Sequence, residues 1–163
     1  MKNEMKTLLL VRHGHAGNGI AGQPDKARAL SPRGQREATR VGLRLAAEGF
    51  SPDLIVASPA VRTCETARAI AREVGYSLED IVPSERLYEA EVDDLLEAIE
   101  GLNDRHARVL VVAHNPGLSE LAWRFNDEMA SMVPGAVARF VFETDKWAEV
   151  PRATIGQTRL DSP

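Results

Sequence analysis

A short apolar run in this chain stops abruptly at an arginine and a histidine. Residues 7–16 read TLLLVRHGHA, so that Arg12, His13 and Gly14 follow the aliphatic run Leu8–Val11 directly. Four consecutive aliphatic residues predict a strand buried on both faces, as in parallel sheets covered by helices. Glycine permits a sharp turn where the chain leaves the sheet. The run therefore predicts a cation and an imidazole at the carboxyl end of a strand, where open α/β sheets bind ligands.

The same succession of strand, polar turn and helix recurs along the chain. Further apolar strands are predicted at 54–57, 81–83 and 109–113, and glycines with Pro24 predict a loop between 14 and 30. The helices are predicted from apolar stripes at helical spacing: Ala38, Val41, Gly42 and Leu45; Ala67, Ile70, Ala71 and Val74; Val92, Leu95, Leu96 and Ile99; Leu118, Leu121, Ala122 and Phe125. This alternation predicts an α/β fold, a three-layer α/β/α sandwich with a mainly parallel sheet.

The carboxyl-terminal part follows a different pattern. Small, branched and aromatic residues from Ala136 to Phe142, a polar turn at 144–146 and the stretch Trp147–Val150 predict a hairpin or an antiparallel sheet edge. The last dozen residues show no clear pattern. At 163 residues, with no linker or internal repeat, the chain is expected to form one domain over residues 1–163.

Charge and cysteine content exclude several classes of protein. A formal net charge of -4 argues against a protein that grips nucleic acid by bulk electrostatics. The single cysteine, Cys64, allows neither an internal disulfide nor a cysteine-based zinc cluster. No leader-like segment precedes the first strand, and no apolar run is long enough to cross a bilayer. A soluble, unprocessed cytoplasmic protein without a membrane partner is expected.

Two further residues are predicted to join Arg12 and His13 at one end of the sheet. Arg62 lies in the first turn of the second predicted helix, and His114 follows the strand 109–113. Guanidinium groups supply paired hydrogen bonds to a phosphoryl group, and a neutral histidine can attack phosphorus to form a covalent phosphohistidine. The alternative for Arg62, a solvent-exposed surface arginine, stays open on position alone. No Asp-rich magnesium cradle and no Walker-type loop is present, so the protein itself must neutralise the phosphate.

Three separated motifs carry a resemblance to a known family. They are Arg12-His13-Gly14, Ser58-Pro59-x-x-Arg62-Thr63 and His114-Asn115-Pro116. In this order and context they resemble those of the histidine phosphatase superfamily, which has the phosphoglycerate mutase-like fold. The segment Asp25-x-x-Arg28-x-Leu30-Ser31-x-x-Gly34 and the short length are most similar to the SixA-type phosphohistidine phosphatases.

The resemblance implies a role for each matching residue. His13 would be the phosphorylated nucleophile, while Arg12, Arg62 and His114 would bind the phosphoryl group. It implies a metal-independent phosphatase without a cofactor. The implied substrate is phosphohistidine in a protein, which the expected open mouth of a chain with short connections would admit.

Three more residues receive subsidiary roles. Arg28 would be an additional substrate-side cation, and Asn115 would contribute through its backbone. Glu89 lies in the region from which superfamily members that cleave alkyl phosphates supply a general acid. The alternative for Glu89 is a solvated carboxylate beside a helix start.

Other functions stay open at this point. A phosphatase for a small phosphorylated metabolite is the alternative on the same fold, and a module that binds phosphate without catalysis is another. From a different class, His13, His15 and His114 would be the ligands of a zinc hydrolase. Without a catalytic or binding role, His15 is expected at the rim of the site, and Trp123 and Phe125 are expected in the core.

Overall fold

A mixed six-stranded sheet forms the centre of the computed structural model, which describes residues 5–163. The strands are β1 (Lys6–Arg12), β2 (Leu54–Ala57), β3 (Val82–Pro83), β4 (Arg108–Ala113), β5 (Val137–Phe142) and β6 (Ile155–Asp161). The helices are α1 (Pro32–Ala47), α2 (Val61–Val74), α3 (Val92–Glu100) and α4 (Gly117–Phe125). The strand order is β3-β2-β4-β1-β5-β6, in which the first four strands are parallel and β5 runs antiparallel to both of its neighbours, β1 and β6. This confirms the predicted α/β class.

Alternate side chains of β1 enter two separate cores. Leu9 and Val11 pack in one core with the apolar stripes of α1 and α2, whereas Leu8 and Leu10 pack in the other with those of α3 and α4. Successive strand residues point to opposite faces, so an uninterrupted aliphatic run covers both. The helices therefore lie in two layers with the sheet between them, as the sequence predicts.

The two histidine-bearing strands are neighbours in the sheet. β1 and β4 run parallel in a register that places Arg12 beside Ala113, and the His13 backbone N–H donates to the Ala113 carbonyl at 3.3 Å. Because both strands end together, the residues that follow them lie at the same edge. The expectation that His13 and His114 meet there is confirmed.

The carboxyl-terminal hairpin differs from its predicted form. β5 pairs antiparallel with both β1 and β6, whereas the predicted strand Trp147–Val150 is part of a 3₁₀ segment, Trp147–Arg152. Pro151 cannot donate to a strand ladder. Trp147 is fully buried, and its indole N–H donates to the His106 carbonyl at 2.7 Å, so it anchors a turn instead of a strand.

The expectation of a buried Trp123 is wrong, whereas that for Phe125 is confirmed. Trp123 is 59% exposed, and the ring of Phe125 packs edge-on against Phe140 and Phe142. The stripe of α4 faces the sheet through Leu118, Leu121, Ala122 and Phe125, and position 123 falls outside it. Among the described residues, no helix is long and apolar enough to cross a membrane.

Candidate active site

His13 stands at the end of β1 with its imidazole held in one tautomer. Its Nδ1 lies 2.7 Å from the Gly14 carbonyl oxygen, which can only accept a hydrogen bond. Nδ1 therefore carries the proton, and Nε2 keeps its lone pair. Burial, reinforced by the positive charges of Arg62 and Arg12, lowers the pKa of His13 to about 4 against the weaker opposing effect of the Gly14 hydrogen bond. The ring is neutral at pH 7, which a nitrogen nucleophile requires.

His114 faces His13 across the sheet edge, with ring centroids 5.4 Å apart. Its Nδ1 lies 3.5 Å from an Arg62 Nη, which can only donate, and its Nε2 lies 2.7 Å from the Ser58 hydroxyl. The neutral His114 ring therefore carries its proton on Nε2 and donates it to Ser58. Burial, together with the charge of Arg62, lowers the pKa of His114 to about 3.

Arg62 is buried at the start of α2, which excludes the open alternative of a solvent-exposed arginine. Thr63 donates to the Ser58 carbonyl at 2.8 Å, and Thr66 accepts from the Gly14 N–H at 3.2 Å, so the first turns of α2 are tied to the sheet edge. With α2 held in this way, the Arg62 side chain points into the site. Its guanidinium donates to the backbone carbonyl and to the carboxylate of Asp25 at 2.9 and 3.0 Å.

Arg62 is buried and Arg12 is half-buried, and each guanidinium retains an unused hydrogen-bond donor within the described residues. Arg12 donates to the Met132 carbonyl at 3.0 Å, while the Nε atoms of Arg12 and Arg62 have no partner among residues 5–163. A buried donor without an acceptor costs about 1–3 kcal/mol. An anion that accepts from such donors regains this energy, so the chemistry of the pair favours a phosphoryl group over a cation.

A cavity of about 890 Å³ gathers every predicted site residue. Its lining includes Arg12, His13, Arg28, Arg62, Glu89, His114 and Asn115. The Asn115 side chain is engaged elsewhere, donating to Met132 and accepting from Ser119, so only its backbone remains for a ligand. Glu89 is exposed at the wall, with a positive φ of 54°.

The zinc interpretation finds no ligand set in the described part of the chain. The His15 imidazole bonds through Nδ1 to the Ser31 hydroxyl at 2.7 Å, at the rim of the cavity. No group of three or more His, Cys, Asp or Glu side chains within residues 5–163 has the arrangement of a metal site. The three histidines named for zinc are therefore not brought together as ligands.

The lowered histidine pKa values lead to a prediction in solution. A free histidine, with a pKa near 6.5, is mostly protonated at pH 5.5, whereas His13 and His114 should stay neutral and titrate only near pH 4 and pH 3. We expect ¹H–¹³C NMR of the imidazole C–H groups to show this. His13→Gln and His114→Gln assign the signals.

The direction in which pH changes the stability of the fold is also testable. Since the unfolded chain binds more protons than the folded one between pH 4 and pH 6.5, these groups stabilise the fold above pH 6.5 and lose that contribution as the pH falls through about 4. A His13 midpoint at or above pH 6 would contradict the buried, cation-flanked site.

Comparison with known proteins agrees with this geometry. The family model of the histidine phosphatase superfamily (branch 1) matches residues 8–96, more than half of the chain. The chain belongs to this superfamily. A putative SixA phosphohistidine phosphatase from Nakamurella multipartitia superposes with a TM-score of 0.81 at 26% identity, covering 95% of both chains. One from Agrobacterium tumefaciens has a TM-score of 0.80 at 23% identity, covering 94% of this chain and 97% of that one.

Curated relatives of this superfamily member are longer proteins. An uncharacterised chloroplast protein of Arabidopsis thaliana is 28% identical over 139 residues, which are 80% of this chain and 60% of the relative. A mitochondrial serine/threonine-protein phosphatase Pgam5 of Drosophila ananassae is 37% identical over 75 residues. The chain spans 25% to 60% of the lengths of the first curated relatives that it matches.

Sequence reasoning about this superfamily member gave no role to Asp25. Its carboxylate accepts from Arg62, from Arg28 and, at 2.5 Å, from the Tyr88 hydroxyl. The Tyr88 hydrogen bond, helped by those from the two arginines, lowers the pKa of Asp25, and in turn raises the pKa of Tyr88 to about 12. Asp25 stands in the SixA-like segment, but nothing in the sequence shows that Tyr88, 63 residues away, meets it.

Close backbone approaches in this superfamily member also escape sequence reasoning. A Cβ at Gly14 would lie 2.6 Å from the Gly34 carbonyl oxygen, and one at Gly34 would clash with the His15 carbonyl. A Cβ at Gly117 would clash with the Ala90 carbonyl. The first pair lets the loop after β1 rest on α1. The close approach of Gly117 to the Ala90 carbonyl lets α4 begin against the segment that carries Glu89, which places this carboxylate at the cavity.

Proposed function

We propose that this chain is a phosphatase that transfers a phosphoryl group to His13 and then to water. The proposal rests on a neutral His13 beside Arg12 and Arg62, whose buried Nε atoms have no acceptor within residues 5–163. Arg12 and Arg62 bind the non-bridging oxygens of the phosphoryl group and stabilise the charge that they carry in the transition state. Arg28 adds a cation to the binding site, His114 contributes by holding the Arg62 guanidinium through its Nδ1, and the backbone of Asn115 lies at the edge.

The chemistry takes place in two steps at His13. The lone pair of Nε2 attacks phosphorus, a P–N bond forms, and the leaving group departs with the electrons of its former bond to phosphorus. Nδ1 keeps its proton and donates it in a hydrogen bond to the Gly14 carbonyl oxygen, which stabilises the charge on the phosphorylated ring. Water then attacks phosphorus from the side opposite Nε2, the P–N bond breaks with its electrons returning to Nε2, and inorganic phosphate leaves with both protons of the water. No step needs a metal or a cofactor.

The substrate we propose is phosphohistidine in a protein. Three of the solved structures similar to this chain are named as SixA proteins: two as putative phosphohistidine phosphatases and one, with bound tungstate, as a protein histidine phosphatase. Pgam5, a matched relative, is named a protein phosphatase. A cavity of about 890 Å³ has room for a side chain presented by another protein. We further propose that residues 1–163 act as one domain in the cytoplasm.

A phosphatase for small metabolites is the second candidate on this fold. A mycobacterial glucosyl-3-phosphoglycerate phosphatase superposes with a TM-score of 0.63 at 16% identity, a likeness of fold alone. The two candidates differ in the leaving group. A sugar or alkyl oxygen leaves poorly and needs a proton from a general acid, whereas a phosphorylated imidazole leaves readily.

Glu89 provides the experiment that tests the proposed function. In buffer containing EDTA, we expect the wild type to hydrolyse free phosphohistidine and an alkyl phosphate, the former with the higher kcat/KM. Glu89→Gln should slow alkyl phosphate cleavage about 100-fold, and phosphohistidine cleavage less than about fivefold, because only the alkyl leaving group requires the proton.

The matched control is Glu97→Gln, a carboxylate on α3 that does not line the cavity. Loss of phosphohistidine hydrolysis in EDTA would overturn the metal-independent mechanism. Equal slowing of both substrates by Glu89→Gln would show that Glu89 is not the general acid.

A further inference from the structure

A second groove adjoins the active-site cavity beside α4. It has a volume of about 390 Å³ and is lined by Val92, Ser119, Glu120, Trp123, Arg124, Met129 and Ser131. Three of these residues, Val92, Glu120 and Arg124, also line the active-site cavity. The two depressions therefore lie next to each other on the surface.

Trp123 is the largest apolar side chain exposed in this groove. It is 59% exposed and lies outside the stripe of α4 that packs on the sheet, so the fold does not require it. Exposed apolar surface rimmed by polar groups marks interaction sites, and tryptophan is enriched among the residues that carry binding energy. The Trp123 groove has the composition of a contact surface for another molecule.

The distance along α4 decides the size of that molecule. Trp123 lies six residues after Gly117, which begins α4 beside His114, and this corresponds to about 9 Å along the helix axis. A single phosphorylated histidine held at His13 is too short to cover that distance as well as the cavity. A protein that presents the phosphorylated side chain lies over both depressions at once.

The charges around the groove decide the chemistry of the surface that fits it. The active-site cavity has a wall on the side of the groove, formed by the segment before α3, the start of α3, and α4. This wall carries the carboxylates of Glu89, Glu91, Asp93 and Glu120, of which Glu120 also lines the groove. The guanidinium of Arg124, which is 3.6 Å from Asp93, partly offsets their negative charge. Outside the phosphoryl pocket this wall is acidic, so it attracts basic side chains and repels further anionic groups.

We propose that the Trp123 groove is a docking subsite for the phosphorylated protein substrate, and that it takes an apolar side chain flanked by lysine or arginine. This inference rests on the proposed function and names the surface of the substrate that the enzyme reads. Burial of the apolar side chain against Trp123 and Met129 supplies affinity, while the acidic wall selects for the basic flank. Substrates that carry only the phosphorylated group do not use this subsite.

Three substrates with the same reacting group test the proposal. They are free phosphohistidine, a peptide with a central phosphohistidine flanked by leucine and lysine, and a matching peptide flanked by serine and glutamate. We expect the wild type to show a kcat/KM about tenfold higher for the leucine-lysine peptide than for the serine-glutamate peptide. Trp123→Ala should reduce this preference to less than about threefold and leave free phosphohistidine turnover unchanged.

Leu43→Ala is the matched control variant. Leu43 is 51% exposed on α1, which covers the opposite face of the sheet, so its truncation should change none of the three rates. The proposal is overturned if the wild type shows no peptide preference, or if Trp123→Ala retains it.

Two other outcomes separate this inference from rival occupants and from the proposed function. If sedimentation shows a wild-type dimer that Trp123→Ala dissociates while the peptide preference persists, the groove binds a second copy, and the proposal is overturned. If the wild type hydrolyses none of the three substrates, the proposed function itself fails. Hydrolysis of free phosphohistidine without peptide preference overturns the docking subsite alone.

Discussion

His13→Ala is expected to abolish turnover together with the covalent intermediate. Removal of the nucleophile should lower kcat by at least about 10⁴-fold, equivalent to about 5 kcal/mol of barrier. Intact-mass spectrometry of enzyme quenched during turnover of a phosphoramidate should show one acid-labile phosphoryl adduct on the wild type and none on the variant. The reason is that the attacking lone pair belongs to Nε2, since Nδ1 is committed to the Gly14 carbonyl.

His106→Ala is the control for this experiment. The His106 side chain does not line the cavity, and its contact with Lys6 and Trp147 runs through the backbone carbonyl. This variant should keep both the adduct and the rate. If His13→Ala still turns over substrate when metal is added, the histidine nucleophile is refuted and a metal-dependent hydrolase is favoured instead.

Arg62→Lys should cause the second largest loss although it keeps the positive charge. A lysine cannot present two parallel donors to the phosphoryl oxygens, and its ammonium would not reproduce the bonds to both the backbone and the carboxylate of Asp25. We expect kcat to fall about 10²–10³-fold, as when a donor to a developing oxyanion is removed. Steady-state kinetics with free phosphohistidine measures this effect.

Arg68→Lys is the matched substitution on the same helix. Arg68 is exposed and does not line the cavity, so its change to lysine should leave the kinetics within about twofold of the wild type. Circular dichroism should show both variants folded. A loss smaller than threefold in Arg62→Lys would mean that charge alone, without the paired geometry, accounts for phosphoryl binding.

Parallel strands that end at one edge explain why the candidate site residues could be predicted to lie together. Arg12, His13 and His114 follow apolar runs at the ends of strands, and β1 and β4 prove to be neighbours. Arg62 was predictable only through its motif, because its position in a first helical turn is equally compatible with exposure. Its burial depends on how Thr63 and Thr66 bind α2 to the sheet edge.

The wrong predictions, for Trp147 and Trp123, lie where the local sequence pattern and the tertiary contacts favour different environments. Trp147 has the aromatic character of a strand residue, yet its indole bond to the His106 carbonyl and the nearby Pro151 make that segment a 3₁₀ turn. Trp123 sits beside a buried stripe, and a rotation of one residue along α4 carries it to the surface. Aromatic content alone does not distinguish these environments.

The α/β class and the strands and helices that hold the candidate site could be predicted from the sequence alone, and the residue types at that site predict that it binds phosphate. Apolar periodicity and the residue types at strand ends are local properties, so they can be recognised from the sequence alone. The tautomer of His13, the link from Asp25 to Arg62 and Tyr88, and the groove at Trp123 became apparent only in the folded structure. Asp25 meets residues 37 and 63 positions away in the chain, which no local pattern indicates. The hydrogen bond from His13 joins it to its neighbour Gly14, but it depends on the turn that the chain makes after β1.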